Sequence, residues 1–262
     1  VIMAITTPIQ AEVIADVDLI KSRLELTVAL RWASRLGFSE GVDNHFSMAI
    51  ADCDGIIRGN RFLINPYGWH WSEITASSLV LCDRSGKVLE GENTVEETGF
   101  FIHSRIHEKL PRAVVVLHTH MPYATSLTLL EDGELKMCEQ NALMFDGRIA
   151  YDREYSGFAL DAGEGDRLAQ SMGTCSVLMM ASHGVTVIGE SVAQAFNDLY
   201  YLERAAMFQV LALSTGGRLR QVESSVRDKI RVQTSHVLPK LAERHFTALK
   251  RILDKEEPEY RK

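Results

Sequence analysis

Apolar positions along the chain recur with two periods, one helical and one extended. Leu19, Ile20, Leu24, Leu26, Ala29, Leu30, Trp32 and Leu36 recur at helical spacing. They predict a helix over 17–37, with Asp16 or Asp18 at its start and Gly37 at its end. His45–Ile50 alternates apolar and polar and reads as a strand. Phe62–Asn65 reads as the next, stopped by the turn Asn65-Pro66-Tyr67-Gly68. Ser78–Asp83 is a third, followed by a hairpin turn at Arg84–Lys87. Glu96–Leu110 fits a helix with Phe100, Phe101, Ile102, Ile106 and Leu110 inward, closed by Pro111. Val114–His120 is a mostly β-branched run that ends in His-Thr-His and is stopped by Met121-Pro122. The segment 121–176 is mixed, with a helix near 164–173. Val177–Gly184 repeats the sequence of strand, histidine and turn, and Val185–Ile188 is one more short strand. Ser191 caps a long helix to Leu213, and two further helices are expected at 222–234 and 237–254. Hairpin-adjacent strands mixed with helices predict a layered α/β domain on a mixed or antiparallel sheet.

Composition narrows the class. The 262 residues contain no Pro/Gly/Ser-rich linker and no repeat. One domain at 17–262, with C-terminal helices and an N-terminal arm at 1–16, is the expectation. Hydrophobic content of 46% and charged content of 24% are ordinary for a globular protein. A net charge of −7 argues against a nucleic-acid partner, which needs a basic face. No apolar run approaches the ~20 residues of a membrane span, and 1–16 lack a signal-peptide pattern. Cys53, Cys82, Cys138 and Cys175 are scattered without a C-x-x-C. Disulfides and a thiolate metal site are therefore not expected, and a cytoplasmic location is.

The candidate chemistry lies at the strand ends. Side chains alternate along a strand, so His118 and His120 point the same way, ~7 Å apart along the backbone. Such pairs also occur with structural hydrogen bonds alone. His183, at a second strand end, supplies a third imidazole and shifts the reading to one divalent metal ion per subunit. Three neutral imidazoles leave a coordination position open, as in a catalytic site. Manganese and zinc are the expected ions, although imidazoles also accept iron and cobalt.

These motifs resemble the class II aldolase/adducin family. The resemblance runs from about residue 20 to 215. It rests on Gly41–Ser47, Asn65–Gly68, Ile102-His103 through His118-Thr119-His120, and Ser182-His183-Gly184. It implies a three-layer α/β/α domain with a central, largely antiparallel sheet. It also implies a cyclic homotetramer, a metal on His118, His120 and His183, and active sites between subunits. Tyr155 matches a family tyrosine that donates a proton across that interface, and reads equally as a tyrosine hydrogen-bonded near a turn.

Departures from the family pattern bear on the substrate. Sugar-phosphate aldolases of the family cradle phosphate with small hydroxyls and glycine amides. Here the first such turn is Val42-Asp43-Asn44-His45, which has gained a carboxylate, and the second is Asn65-Pro66-Tyr67-Gly68. A sugar phosphate is therefore not expected. The family's catalytic glutamate falls at Gly99, counted back from His103. The nearest carboxylates are Glu96 and Glu97. Glu97 takes that role by bulging, or the role is lost and Glu97 is a surface glutamate at a helix start. Asn65, Tyr67, Trp69 and His70 are expected to bind substrate, since flat side chains suit a flat substrate. Trp69 and Trp71 read equally as packing residues, and His103 and His107 read as structural.

The expected function is a metal-dependent decarboxylase of a hydroxylated aromatic or pyridine carboxylic acid, acting through a metal-stabilised enolate. Within the family the chain resembles the decarboxylase-like branch, which includes a hydroxymethylpyridine-dicarboxylate decarboxylase of vitamin B6 degradation. His45 is expected to orient the substrate carboxylate or to protonate the carbanion. The alternatives are an aldolase cleaving a non-phosphorylated hydroxy-keto acid and an adducin-like binding module without activity.

Overall fold

The computed structural model describes residues 8–262, with side chains from Asp18 onward. Helix α1 (Pro8–Arg35) leads into strands β1 (His45–Ala49), β2 (Arg61–Ile64), β3 (Val80–Asp83) and β4 (Val88–Glu90). Helix α2 (Glu97–Lys109), strand β5 (Val115–Thr119), helices α3 (Pro122–Thr128) and α4 (Gln140–Leu143), and strand β6 (Ile149–Asp152) follow. Helix α5 (Ala162–Met172), strands β7 (Val177–Met180) and β8 (Gly184–Gly189), and helices α6 (Val192–Leu213) and α7 (Ser224–Glu256) complete the chain.

The strands form one sheet in the order β4-β3-β2-β1-β5-β8-β7-β6. All neighbours are antiparallel except β6 and β7, which are parallel. A parallel pair needs a crossover, and α5 supplies it between β6 and β7.

Strand alternation separates the two faces. Phe46, Leu63, Leu81, Val115, Leu117, Val177, Met179, Val185 and Val187 pack with apolar residues of α1 and α6 in the larger core. The in-between residues Val116, Leu178, Met180 and Ile188 pack against Ile102 and Ile106 of α2 and Leu168, Ala169 and Met172 of α5. Helices thus cover both faces, giving the expected three-layer α/β/α domain. Its middle strands are buried on both sides and read as continuous apolar runs.

Three expectations change. The first helix starts at Pro8, upstream of the expected residue 17, and the rest of the expected arm, 1–7, lies outside the described residues. The two C-terminal helices are one, α7, with Pro239 inside it. Pro239 leaves the carbonyl four residues back without a donor. Residues 235 and 239 are both exposed, so solvent can satisfy that carbonyl. Finally, α3, α4 and β6 occupy the segment that carried no clear periodicity.

Candidate functional site

His118 sits one residue before the end of β5, on the face that turns toward α2. Its Nδ1 lies 3.0 Å from the Val185 carbonyl. A carbonyl only accepts, so the proton is on Nδ1 and the Nε2 lone pair is free to ligate. His120 follows just past the strand, where its backbone N–H donates to Asn44 Oδ1 at 3.2 Å. Its Nε2 is buried without a hydrogen-bond partner. Gly184 allows this ring to approach the sheet, since a Cβ there would lie 2.6 Å from His120 Cδ2.

His183 stands in the turn between β7 and β8. The preceding Ser182 has a φ of 56°, a left-handed conformation uncommon for a non-glycine residue. The Ser182 N–H donates to the Thr128 carbonyl and the His183 N–H to the Met180 carbonyl, which fixes the turn.

The three rings face one another with centroids 5.0, 4.9 and 5.1 Å apart. One nitrogen from each lies within 4.8 Å of the others. Burial pushes the His183 imidazole down to about 4, lowers His120, and holds His118 well below its ordinary value. Neutral imidazoles converging with unshared lone pairs, one of them orphaned at His120 Nε2, are a fitting donor set for a divalent metal ion.

The triad opens into a cavity of about 500 Å³ whose walls include His45, Glu96, Tyr155, Ile102, Leu168 and Met180. His45 pairs with His118 across the β1–β5 register and is 3% exposed. Its Nε2 has no hydrogen-bond partner and lies 3.5 Å from Glu96 Oε2. Burial drives the His45 imidazole down to about 4, against the attraction of Glu96 and Asp43.

Glu96 is the N-cap of α2, accepting the Gly99 N–H at 2.7 Å and the Thr98 hydroxyl on the same oxygen. Burial opposes its charge, but these bonds outweigh it and hold the carboxylate below its ordinary range. Glu97 is exposed at the first helical position and does not line the cavity. The carboxylate at this site is therefore Glu96, not the expected Glu97. Glutamate is not a favoured cap residue, so residue type alone does not single out Glu96 over its neighbour.

Tyr155 lines this same chain's cavity, with its ring 6.4 Å from that of His183. It is 55% exposed, at the mouth.

The expected substrate platform is elsewhere. Asn65 is buried, with Oδ1 accepting the Phe46 N–H at 2.8 Å and Nδ2 donating to the Asn44 carbonyl at 3.2 Å. It braces the backbone beneath His45 and does not line the cavity. Tyr67, Trp69 and His70 do not line it either. Tyr67 is exposed, Trp69 packs on the larger core, and His70 Nδ1 bonds Ser72 Oγ at 2.7 Å. The reason lies in α1. The Arg31 guanidinium donates to the Ile74 carbonyl at 2.7 Å and to the Ser72 carbonyl. Trp71 and Ile74 are buried in the core that α1 helps to form, opposite the triad's face.

His103 and His107 form a buried network with Ser47. Ser47 Oγ contacts His103 Nδ1 and lies 2.7 Å from His107 Nε2, while His107 Nδ1 donates to the Ala113 carbonyl at 2.6 Å. Arg167, Asp152 and Glu164 also line the cavity. Glu164 and Arg167 are an i,i+3 pair on α5 and Asp152 ends β6, and no motif of the sequence joins the two segments.

The chain as a whole resembles known proteins. A relative from Caulobacter vibrioides named for the class 2 aldolases is 30% identical over 242 residues, 92% of this chain and 91% of its own. An aldolase II superfamily protein from Pseudomonas syringae has a solved structure similar to this one. Its TM-score is 0.85 at 32% identity, covering 93% of this chain and 96% of its own. An L-fuculose 1-phosphate aldolase from Glaciozyma antarctica shares the fold at a TM-score of 0.81 and 20% identity, over 100% of this chain and 97% of its own. The family model described as "Class II Aldolase and Adducin N-terminal domain" matches residues 24–210, which span the triad, His45 and Glu96. The chain belongs to the class II aldolase and adducin family.

Proposed function

We propose that this protein is a metal-dependent carbon–carbon lyase that decarboxylates a hydroxylated aromatic or pyridine carboxylic acid. Its working form on this reading is a cytoplasmic homotetramer with one manganese or zinc ion per subunit. The observation that carries the reading is the position of His45. Its imidazole stands beside the three-histidine cluster, at the place where the family pattern puts a glutamate on α2.

His118, His120 and His183 would hold the ion. A bound divalent ion supplies Lewis-acid polarisation of substrate oxygens, worth several kcal/mol in a transition state. Ile102, Leu168 and Met180 offer an apolar wall for a flat ring, in place of the Tyr67, Trp69 and His70 platform. The His45 imidazole, with Nε2 facing Glu96, carries the proton that replaces the departing carboxyl group on the ring carbon. Glu96 favours the protonated form of His45 at that moment. Tyr155 at the mouth and the exposed Phe158 beside it are the residues a neighbouring subunit would cover.

Incubation of the protein with hydroxyaromatic, hydroxypyridine and keto acids, with and without manganese, tests the activity. Metal-dependent carbon dioxide release supports it. Release of an aldehyde from a hydroxy-keto acid would make the protein an aldolase instead. Full metal content with no turnover on any class would favour a binding module. Sedimentation showing an active monomer would remove the tetramer.

A further inference from the structure

The charge of the cavity wall narrows the substrate class within the proposed function, on which this inference rests. Among the described residues six carboxylates line the cavity, those of Glu40, Asp43, Glu96, Asp152, Glu154 and Glu164, against the single guanidinium of Arg167. Arg167 is held within the wall. Its Nη1 donates to Asp152 Oδ1 at 2.8 Å and its Nη2 to Asp152 Oδ2 at 2.7 Å. Its Nη2 and Nε also donate to the two oxygens of Glu164 at 2.8 and 2.9 Å. Two carboxylates thus saturate the one cation, and its fork has little left for an incoming anion.

The other four carboxylates have no lysine or arginine partner among the described residues, and the cavity lining supplies none. Glu40 and Asp43 are exposed on the turn before β1, and Glu154 is exposed after β6, so this charge sits at the entrance. Deeper in, a second and independent feature calls for a ligand group. His45 is 3% exposed, and its Nε2 has no hydrogen-bond partner within the chain.

We infer that the substrate carries a single negative charge, delivered to the three-histidine end of the cavity, and that the rest of the molecule is uncharged or bears a protonated nitrogen. Glu40 and Asp43 set this selectivity. A second carboxylate or a phosphate would have to pass Glu40, Asp43 and Glu154, with no free lysine or arginine to receive it among the described residues of the lining. A ring nitrogen or amino group that carries a proton meets the opposite field. Like-charge juxtaposition of this kind typically lowers affinity by roughly ten- to a hundredfold and weakens with salt.

The test is calorimetric titration of the manganese-loaded protein with three probes sharing one chelating head: salicylate, its 5-carboxy analogue and its 5-aminomethyl analogue. At low ionic strength the 5-carboxy probe should bind about tenfold or more weakly than salicylate, and the 5-aminomethyl probe at least as tightly. The gap should narrow at about 1 M salt and in the double variant Glu40→Gln/Asp43→Asn. Equal affinity of salicylate and its 5-carboxy analogue overturns the inference. A gap that salt and the double variant leave unchanged overturns the assignment to Glu40 and Asp43. Failure of all three probes to bind overturns the carboxylate-chelation reading beneath it, a different result from loss of discrimination alone.

Discussion

A side chain on residue 99 and the imidazole of His45 compete for one volume: a Cβ on Gly99 would lie 2.6 Å from His45 Cδ2 and Cγ and 2.7 Å from its Nδ1. Gly99 lies in the first turn of α2 and has no left-handed φ that would require glycine. Glycine in a helix interior is less favourable than alanine by about 1 kcal/mol. The ring of His45 accounts for it. An imidazole from β1 fills the space into which a side chain from α2 would project, and the family resemblance puts a glutamate at that helical position.

Gly99→Ala should therefore act as a His45 variant. The added methyl pushes the ring away. Overpacking of about 1–3 kcal/mol is partly offset by the gain in helix propensity of about 1 kcal/mol, so the fold should persist. Turnover should fall by roughly 10²–10⁴, the range for losing a general acid, with metal content unchanged. His45→Ala should give the same loss. In the His45→Ala background, Gly99→Glu should be accommodated without further loss of thermal stability. Full turnover in Gly99→Ala would show that the position of His45 does not matter.

The triad makes a separate prediction about stability. Ligand that binds only the folded state stabilises it by about 4 kcal/mol at a thousandfold excess over Kd. Manganese or zinc should raise the Tm of the wild type, and a chelator should reverse the rise. His118→Ala, His120→Ala and His183→Ala should each abolish both the shift and the turnover. Tm in the presence of chelator should change least for His120 and His183, which are less buried than His118. A single variant with full metal content and turnover would remove its residue from the ligand set.

The triad was legible because two short-range rules coincide there. Alternation puts His118 and His120 on one side, and the second strand end at His183 has the same form. Helices such as α2 and α6 were legible because their apolar periodicity is long. What failed was longer in range. Nothing near residues 65–71 reveals that Arg31, far upstream, draws that loop to the α1 side. Asn65 looked like a ligand-binding side chain because buried bracing and substrate binding both call for an amide. Its oxygen and nitrogen are both committed to backbone groups. Strand β6 is four residues long and parallel to β7, so neither alternation nor a hairpin turn marks it.

Acid should destabilise the metal-free protein in a window set by the buried histidines. His107 is 2% exposed, and burial lowers it from 6.5 to about 4. Between those values the unfolded chain binds more protons than the folded one, so stability rises with pH through the window. The contribution is complete above about pH 6.5 and is lost as pH falls toward 4. For a shift of that size the loss is on the order of 3 kcal/mol, and His45 titrates in the same direction. Urea unfolding of the chelator-treated protein from pH 7 to pH 4 should show this decline. His107→Gln should be less stable at pH 7 and flatter across the window. A midpoint independent of pH over that range would mean that these histidines ionise freely in the folded state.

The last prediction separates two adjacent glutamates. Glu96 accepts the Gly99 N–H and the Thr98 hydroxyl, and the same oxygen lies 3.5 Å from His45 Nε2. Glu97 is exposed and does not line the cavity. Glu96→Gln keeps an acceptor oxygen for the cap but removes the charge beside the imidazole. A unit charge at about 4 Å interacts by up to roughly 4 kcal/mol at a surface-like dielectric, and partial exposure of Glu96 screens part of that. Turnover should therefore drop by about ten- to a hundredfold, with little change in KM or Tm. Glu96→Ala should add the loss of the cap, about 1 kcal/mol, visible as a lower Tm on top of the same kinetic defect. Glu97→Gln should leave kcat, KM and Tm at wild-type values. A kinetic defect in Glu97→Gln that matches or exceeds that of Glu96→Gln would return the role to residue 97. A lower Tm in Glu96→Ala alone, with turnover intact in both variants, would reduce Glu96 to a helix cap.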